Sequence, residues 1–249
     1  MNTAEALREI KQSFRLYMNG PAAQSMRQKG LNYKLIWGVS LTDLKEIAKE
    51  YAPNAELALA LFQEPIRECK ILSILLMPIK DLQEHTAEVW MNQIETQELA
   101  EIFVLHLLQH EPYANTLAWR WMESTRPLTL LCSFNLVGRL FTQGVLPTEA
   151  QCESFIHAAQ QALLINDISL QHTVANAILS LYEADEKFAE TMRRHFPQIV
   201  EWKNQINGVI FLSLNYNAYL CAKINSMVFQ GWMFIEASVH NFSVERWFL

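Results

Sequence analysis

The sequence predicts an all-α protein, and three observations support that class. Ala, Leu, Glu, Gln and Met are abundant, whereas the 249 residues include only 7 glycines and 8 prolines, a composition that favours helix. Apolar residues recur at helical spacing, and no segment has the strict alternation of a half-buried strand. Apolar residues also make up 51% of the chain, which is enough to build one continuous core.

The first predicted helix runs from about residue 4 to 17, because its apolar residues fall on one helical face while its basic residues fall on another. Gly20-Pro21 is expected to end this helix. A second short helix follows, and then a loop leads to Ser40. The hydroxyl of Ser40, three residues before Asp43, predicts a capping-box-like start to the third helix.

Prolines punctuate the rest of the chain, and each is expected to mark a new helix because proline fits a first helical turn but not a helix interior. Between them lie predicted helices of roughly 10 to 18 residues, paired about every 35 to 45 residues, which is the spacing of HEAT-like helical repeats. The sequence therefore predicts one domain, residues 1–249, built as a right-handed superhelical stack of about six helix pairs. The prolines concerned are Pro53, Pro65, Pro78, Pro112, Pro127, Pro147 and Pro197.

The last segment, residues 206–249, is poor in charge and ends in an aromatic tail. Asn207, Asn215 and Asn217 favour a buried terminal helix over a membrane span, since side-chain amides are unfavourable in hydrocarbon. The tail, residues 226–249, is expected to cap the stack. The alternative is that it contacts a protein partner or a second copy of the chain.

Composition also limits the cellular setting. The N-terminal residues are charged and periodic, unlike a secretory signal. The cysteines stand singly, without the paired spacing of a zinc site or the density of a disulfide scaffold. We therefore expect a cytoplasmic protein without a cofactor. The cysteines are Cys69, Cys132, Cys152 and Cys221.

Charge is unevenly distributed along the chain. Residues 1–80 carry a net charge of +3, residues 81–205 carry −9, and the whole chain carries −6. A surface that binds nucleic acid needs clustered positive charge to neutralise phosphates. By this criterion only the first third of the sequence favours such a surface.

His106 and His110 stand four residues apart in HLLQH, as zinc ligands on one helical face would. Leu107 occupies the position of the metalloprotease glutamate, however, and no third ligand is evident. A role in packing or at the surface is the preferred interpretation, and no metal site is predicted. The chain also has no glycine-rich phosphate loop and no nucleophile motif.

Two further motifs have structural alternatives. Trp119, Arg120 and Trp121 resemble a base-stacking cluster, but adjacent side chains on a helix point about 100° apart. We therefore expect at least one tryptophan to pack in the core. Glu98 and Glu101 could form a carboxylate pair with one raised pKa, although a solvated helix face is the preferred interpretation.

Two adjoining segments, MRQKGLNYKLIWGVSLTDLKEIAKEY and LALALFQEPIRECKILSILLM, resemble the N-terminal half of the DNA alkylation repair family. These proteins are HEAT-like-repeat DNA glycosylases that remove cationic alkylpurines. The resemblance depends on the loop before Gly38-Val39, the helix that ends at Tyr51, and Arg67-Glu68 at the start of a Leu- and Ile-rich helix. It extends over roughly residues 15 to 195 and is strongest before residue 80.

The resemblance implies a site made of a Trp-x-x-x-Asp pair, a Trp-x-Arg-Arg run and a further Trp with Arg. Aromatic faces and a carboxylate suit a cationic base, and arginines hold phosphates in a cationic concave groove. On this chain the carboxylate is kept as Glu101, but the tryptophans and arginines are replaced. The matching positions are Gln97 and Glu101 for the first set, Leu128, Leu130 and Leu131 for the second, and Ala177 and Ser180 for the third.

A catalytically degenerate binding or scaffold module is therefore the predicted function. The alternative is a glycosylase acting on duplex DNA with relocated residues, in which Glu101 is the catalytic carboxylate. In that case other cationic and aromatic side chains would have to hold the DNA. The candidates for this role are Arg120, Arg126, Arg139, Trp121, Lys29 and Lys34.

Overall fold

A computed structural model describes residues 2–209, with side chains up to Lys203, and the regular structure of this range is helical. The one backbone pairing of β type in it is an isolated bridge between Leu35 and Ile66. The all-α prediction is therefore confirmed. The expectations for the tail, and for nearly all of residues 206–249, lie outside the described residues.

Within the described range the chain forms thirteen α-helices and two short 3-10 turns, joined by short loops. The 3-10 turns are Ile79–Asp81 and Leu108–His110. The helices are α1 (Thr3–Tyr17), α2 (Gly20–Gln28), α3 (Leu41–Lys49), α4 (Ala55–Gln63), α5 (Arg67–Leu76), α6 (Glu84–Gln93), α7 (Gln97–His106), α8 (Ala114–Trp121), α9 (Pro127–Thr142), α10 (Glu149–Leu164), α11 (Ile168–Ala184), α12 (Glu186–His195) and α13 (Pro197–Val209).

From α4 onwards the helices form consecutive pairs, and the second helix of each pair packs on the second helix of the next. This two-layer stack is the arrangement of HEAT-like repeats. Within residues 2–209 it comprises five pairs preceded by α1–α3. We call α3, α5, α7, α9, α11 and α13 the second-helix layer, and α1, α4, α6, α8, α10 and α12 the first-helix layer.

Aromatic side chains join successive repeats through the core. The rings of Phe62 on α4 and Trp90 on α6 stack with their centroids 4.2 Å apart, and Trp90 in turn contacts Phe103 on α7. Between α9 and α11 the contact is instead made by small residues, because a Cβ on Gly138 would lie 3.3 Å from the Cα of Ala177. The repeats therefore share one continuous core.

Side-chain caps define many of the helix starts. The Ser40 hydroxyl accepts from the backbone N–H of Asp43 at 3.1 Å, as predicted, and it donates to the Asp43 carboxylate at 2.7 Å. A reciprocal capping box is present at Thr148 and Gln151. Because each cap satisfies a backbone N–H that has no partner within the helix, caps fix where these helices begin.

The prolines mark boundaries less uniformly than expected. Pro127 and Pro197 are the first residues of α9 and α13. Pro21, however, lies in the first turn of α2, and α5 begins two residues after Pro65. The expectation that Gly20-Pro21 ends the first helix was wrong, because Met18 and Asn19 already adopt extended backbone before it.

The loop of residues 31–40 is held against the core by Glu68, which is fully buried at the start of α5. Its carboxylate accepts from the backbone N–H groups of Trp37, Gly38 and Val39 at 3.0–3.3 Å. Gly38 has φ +77°, and a Cβ there would lie 2.2 Å from the carbonyl oxygen of Asn19. This close approach requires glycine at position 38.

Arg67 completes the same buried network. Its guanidinium donates to Glu98 on α7 at 2.5 and 2.8 Å, to Glu68 at 3.1 Å and to the Val39 carbonyl at 3.0 Å. Burial alone would lower the pKa of Arg67, but the hydrogen bonds and charge of Glu98, followed by those of Glu68, raise it. The Arg67-Glu68 dipeptide that carries the sequence resemblance is thus a structural anchor between the loop, α5 and α7.

Candidate functional site

Glu101 lies on α7, in the second-helix layer, and is half-buried. Its Oε1 accepts a hydrogen bond from Nε2 of Gln97 at 2.7 Å, one turn earlier on the same helix. Glu98 is turned towards Arg67 instead and is committed to that ion pair. Glu98 and Glu101 therefore do not form a carboxylate pair, because the first is bound by arginine and the second by an amide.

The positions that the resemblance assigned to the Trp-x-Arg-Arg run lie on α9 and pack against the core. Leu130 and Leu131 are buried, and Leu128 packs on the edge of the core. In the third set Ala177 is buried against Gly138. These side chains build the contact between repeats and have no polar atom to offer a ligand.

Arg120 and Trp121 lie on α8, in the first-helix layer. Arg120 donates to Glu88 at 2.5 Å and to Glu84 at 2.7 Å, so two carboxylates of α6 neutralise its charge. Trp121 is buried, as expected for at least one of the two tryptophans, and Trp119 donates to Asn115. This segment joins repeats and does not present a base-stacking cluster.

Arg126 precedes the first residue of α9 and reaches back to the end of α6. Its guanidinium donates to the carbonyl of Met91 at 2.7 Å and to that of Ile94. The last carbonyls of a helix have no partner within it, so Arg126 caps α6 from the next repeat.

Lys29 and Lys34 are exposed on either side of the turn that follows α2. Tyr33, the residue before Lys34, places its hydroxyl 2.7 Å from the Thr96 hydroxyl at the start of α7. Burial raises the pKa of Tyr33 to about 12. The loop that bears Lys34 therefore lies against the beginning of the helix that bears Glu101.

Arg139, on the last turn of α9, differs from the other candidate arginines because, among the described residues, its guanidinium bonds neither a carboxylate nor a backbone carbonyl. Its Nε donates to Oε1 of Gln109 at 3.1 Å, and Gln143 donates to the same oxygen at 3.0 Å. Gln109 is buried and donates in turn to the Leu105 carbonyl. The side chain of Arg139 is thus oriented by a fixed amide while its charge stays unpaired.

The positive charge of Arg139 acts on His106, the last residue of α7. Burial lowers the pKa of His106, and Lys45, His110 and Arg139 lower it further by their positive charge. The buried Nε2 atom of His106 has no hydrogen-bond partner. We call Lys45, His106, His110 and Arg139 the cationic cluster. Sequence reasoning selected HLLQH as a possible metal pair, but nothing in the sequence indicated that α3 and α9 would add two cations to it.

His106 and His110 do not share a helical face, because α7 ends at His106 and His110 lies in the following 3-10 turn. Among the described residues no group of three potential ligands could hold a metal ion. Cys69, Cys132 and Cys152 are free and buried, and burial raises their pKa values, so their thiols are poor nucleophiles. No helix in residues 2–209 is long and apolar enough to cross a membrane.

The acidic residues of the central region mostly avoid the second-helix layer. Sixteen acidic residues lie between 81 and 205, and most are on first-layer helices or in loops. Two of those on the second-helix layer are paired, with Arg67 and Lys203. The net charge of −9 in this region therefore does not describe the surface that carries the cationic cluster. The second-layer acids are Glu98, Glu101, Glu183 and Glu201.

Residues 10–137, just over half of the chain, match the family described as DNA alkylation repair enzyme. The chain belongs to this family. The matched segment extends from α1 through the middle of α9 and so includes the Glu68 anchor, Glu101 and three members of the cationic cluster.

The fold of this family member agrees with a solved structure described as belonging to a new family of proteins related to the HEAT-like repeat DNA glycosylases, with affinity for branched DNA structures. The two chains share 14% sequence identity and superpose with a TM-score of 0.66, over 78% of this chain and 83% of the other. At this identity the likeness shows the fold alone. No curated protein matches the sequence.

Proposed function

We propose that this member of the DNA alkylation repair family is a binding module that has lost base excision, and that its ligand is DNA. The proposed loss of base excision rests on the residues that α7 and α9 carry at the positions of the family's site. The retained carboxylate, Glu101, is bonded to Gln97, and the positions of the tryptophan and the two arginines hold Leu128, Leu130 and Leu131.

Excision of a cationic base needs groups that stabilise positive charge as the glycosidic bond breaks. A carboxylate alone does this less well than a carboxylate beside an aromatic face, because cation–π attraction adds to the ionic term. Leucine cannot donate to a phosphate, so the strand would not be held at the position that excision requires.

Three considerations favour DNA as the ligand. The family is one of DNA repair enzymes. The structural neighbour is described as related to the glycosylases and as having affinity for branched DNA, which is consistent with a DNA-binding role for this fold. The cationic cluster also supplies unpaired positive charge on the second-helix layer, and phosphate binding depends on such charge.

The alternative function is a glycosylase in which Glu101 still acts, and the half-exposed position of Glu101 favours it. One assay separates the two. Alkylated duplex DNA is incubated with the full chain and with Glu101→Gln, and released methylated purine is measured against DNA alone. We expect no release by either protein. Release by the wild type that is lost in Glu101→Gln would overturn the loss of excision.

Binding is tested separately with fluorescent duplex and four-way branched DNA over a range of salt concentrations. We expect affinity that falls steeply as salt increases, since bound phosphates displace counterions. Absence of binding to both DNAs at low ionic strength would exclude DNA as the ligand and leave a protein scaffold as the remaining role.

A further inference from the structure

We propose that a groove between α8 and α10 is the docking site for a basic peptide segment of a partner protein. The groove has a volume of about 870 Å³ and is formed mainly by helices of the first-helix layer, whereas Glu101 lies in the second-helix layer. The inference goes beyond the proposed function and does not depend on DNA binding.

The groove arises from the unequal lengths of two helices in successive repeats. Because α8 has 8 residues and α10 has 16, α8 can extend along only about half of α10. Ala158 and Ala162 line the groove from α10, and their small side chains do not fill the space. Leu130, in the first turn of α9, is buried and also lines it. The repeat thus leaves an open groove with an apolar floor.

The length of the groove suits a peptide. Its lining residues on α10 and the C-cap of that helix run from Gln151 to Ile165, a distance of about 21 Å at 1.5 Å per residue. An extended peptide of about six or seven residues has this length. Small molecules are usually enclosed over most of their surface, and a groove that is open along one side does not enclose a compact ligand.

The charge of the lining favours a basic peptide. Glu123 and Glu153 are both exposed, and the groove is lined by no lysine or arginine among the described residues. Neither carboxylate forms an ion pair within the described part of the chain. Such a surface repels the phosphates of nucleic acid and attracts the side chains of lysine and arginine.

Trp119 provides an aromatic surface in the same groove. It is half-buried, and its indole N–H donates to Oδ1 of Asn115 at 2.8 Å, which orients the ring. A lysine or arginine can pack its alkyl stem on this surface while the ring attracts its charge. Leu164, which precedes the groove-lining Ile165, is 75% exposed. The expected ligand therefore combines basic residues with a large apolar one.

The first experiment uses a library of random linear peptides as the probe, each of about seven residues to match the groove. The library is selected on the immobilised full chain and, in parallel, on Glu123→Lys/Glu153→Lys. We expect the wild type to enrich peptides that carry two or more basic residues and a large apolar residue, and the variant to lose this enrichment. No enrichment, enrichment of acidic or neutral peptides, or the same peptides from both proteins would overturn the site.

The second experiment measures the affinity of the most enriched peptide by fluorescence anisotropy. We expect affinity to fall at least about tenfold in Glu123→Lys/Glu153→Lys and by a smaller factor in Trp119→Leu. The matched control, Glu9→Lys/Glu201→Lys, makes the same change of charge at exposed residues outside the groove and should retain affinity. An equal loss in the control would mean that net charge alone governs binding and would overturn the groove.

Two further measurements locate the ligand and test another occupant. Amide NMR signals that shift on peptide addition should map to residues 119–125 and 151–165, and shifts confined to other helices would overturn the site. Sedimentation of the chain alone tests a second copy in the groove. Self-association that Glu123→Lys/Glu153→Lys abolishes would assign the groove to that copy and overturn the peptide partner.

The outcomes are distinct from those for DNA. These experiments contain no DNA, so a failure of peptide binding leaves the proposed function intact, and an absence of DNA binding leaves the groove intact. Circular dichroism of each variant verifies that the helices are retained.

Discussion

Replacing Glu68 by Gln should destabilise the protein strongly, because this side chain is the buried acceptor on which the loop of residues 31–40 depends. The substitution keeps the shape of the side chain but removes its charge and places an NH₂ group against donors. Three backbone N–H groups and the guanidinium of Arg67 would then compete for a single amide oxygen.

The size of the effect follows from the buried charge. Removing one partner of a buried ion pair costs about 3–5 kcal/mol, since the other charge is left without compensation. Arg67 keeps its bonds to Glu98 and the Val39 carbonyl, so we expect about 3 kcal/mol. With an m-value of about 3 kcal/mol/M, the urea midpoint should fall by about 1 M.

The assay is urea unfolding followed by circular dichroism, combined with hydrogen exchange at the amides of Gly38 and Val39. Exchange there should accelerate before the rest of the protein is affected, because those N–H groups lose their acceptor. The matched control is Glu46→Gln, which breaks an exposed ion pair with Lys49 and should change little. A Glu68→Gln midpoint equal to that of the control, with unchanged exchange, would refute the anchoring role of Glu68.

Three further predictions concern single residues. Gly38→Ala should lower the free energy of unfolding by about 3 kcal/mol or more, because φ is +77° and the added Cβ would lie 2.2 Å from a backbone oxygen. Gly30→Ala is the control, since φ there is +91° but the space around it is open. Thermal unfolding should show a loss of only about 1 kcal/mol for it. Burial raises the pKa of Glu111 from 4.5 to about 7, so the folded state binds more protons over that interval. The stability of the wild type relative to Glu111→Gln should therefore be greatest below the pKa that Glu111 has in the unfolded chain. It should fall, by on the order of 2 kcal/mol, as the pH rises through about 7. Urea midpoints of the two proteins that differ by a constant amount across this range would contradict the prediction. Arg126→Gln should lower the free energy of unfolding by about 1–2 kcal/mol, because the end of α6 loses its cap, and should leave DNA affinity near that of wild type. A loss of DNA binding without a loss of stability would instead show that Arg126 contacts DNA.

Local chemistry made much of the fold predictable. Ser40 and Pro127 mark helix starts in the sequence because a cap or a fixed φ acts within one turn of backbone. The burial of at least one of the two tryptophans that flank Arg120 followed from the 100° between neighbouring positions on a helix, and Trp121 is the buried one. The family resemblance also depends on contiguous segments, which a sequence displays directly.

The candidate site was less predictable because its members come from different repeats. Arg120, Arg126 and Arg139 are chemically identical in the sequence, yet one is neutralised by two carboxylates of α6, one caps that same helix, and one stays unpaired. Their partners lie about 30 to 36 residues away in the chain, roughly the length of one helical repeat. The register between neighbouring repeats therefore determined which arginine is paired with carboxylates, which one caps a helix and which one bonds only a side-chain amide.

The sequence by itself determined the helices and their pairing, since each of these depends on residue identity or on spacing within a few turns. Only the tertiary structure decided that Glu98 is bound by Arg67 while Glu101 is not, and that the charges of Lys45 and Arg139 both act on His106. Electrostatic interactions act through space between stacked repeats, so charges separated by more than ninety residues, such as Lys45 and Arg139, act on the same histidine only once the stack is formed.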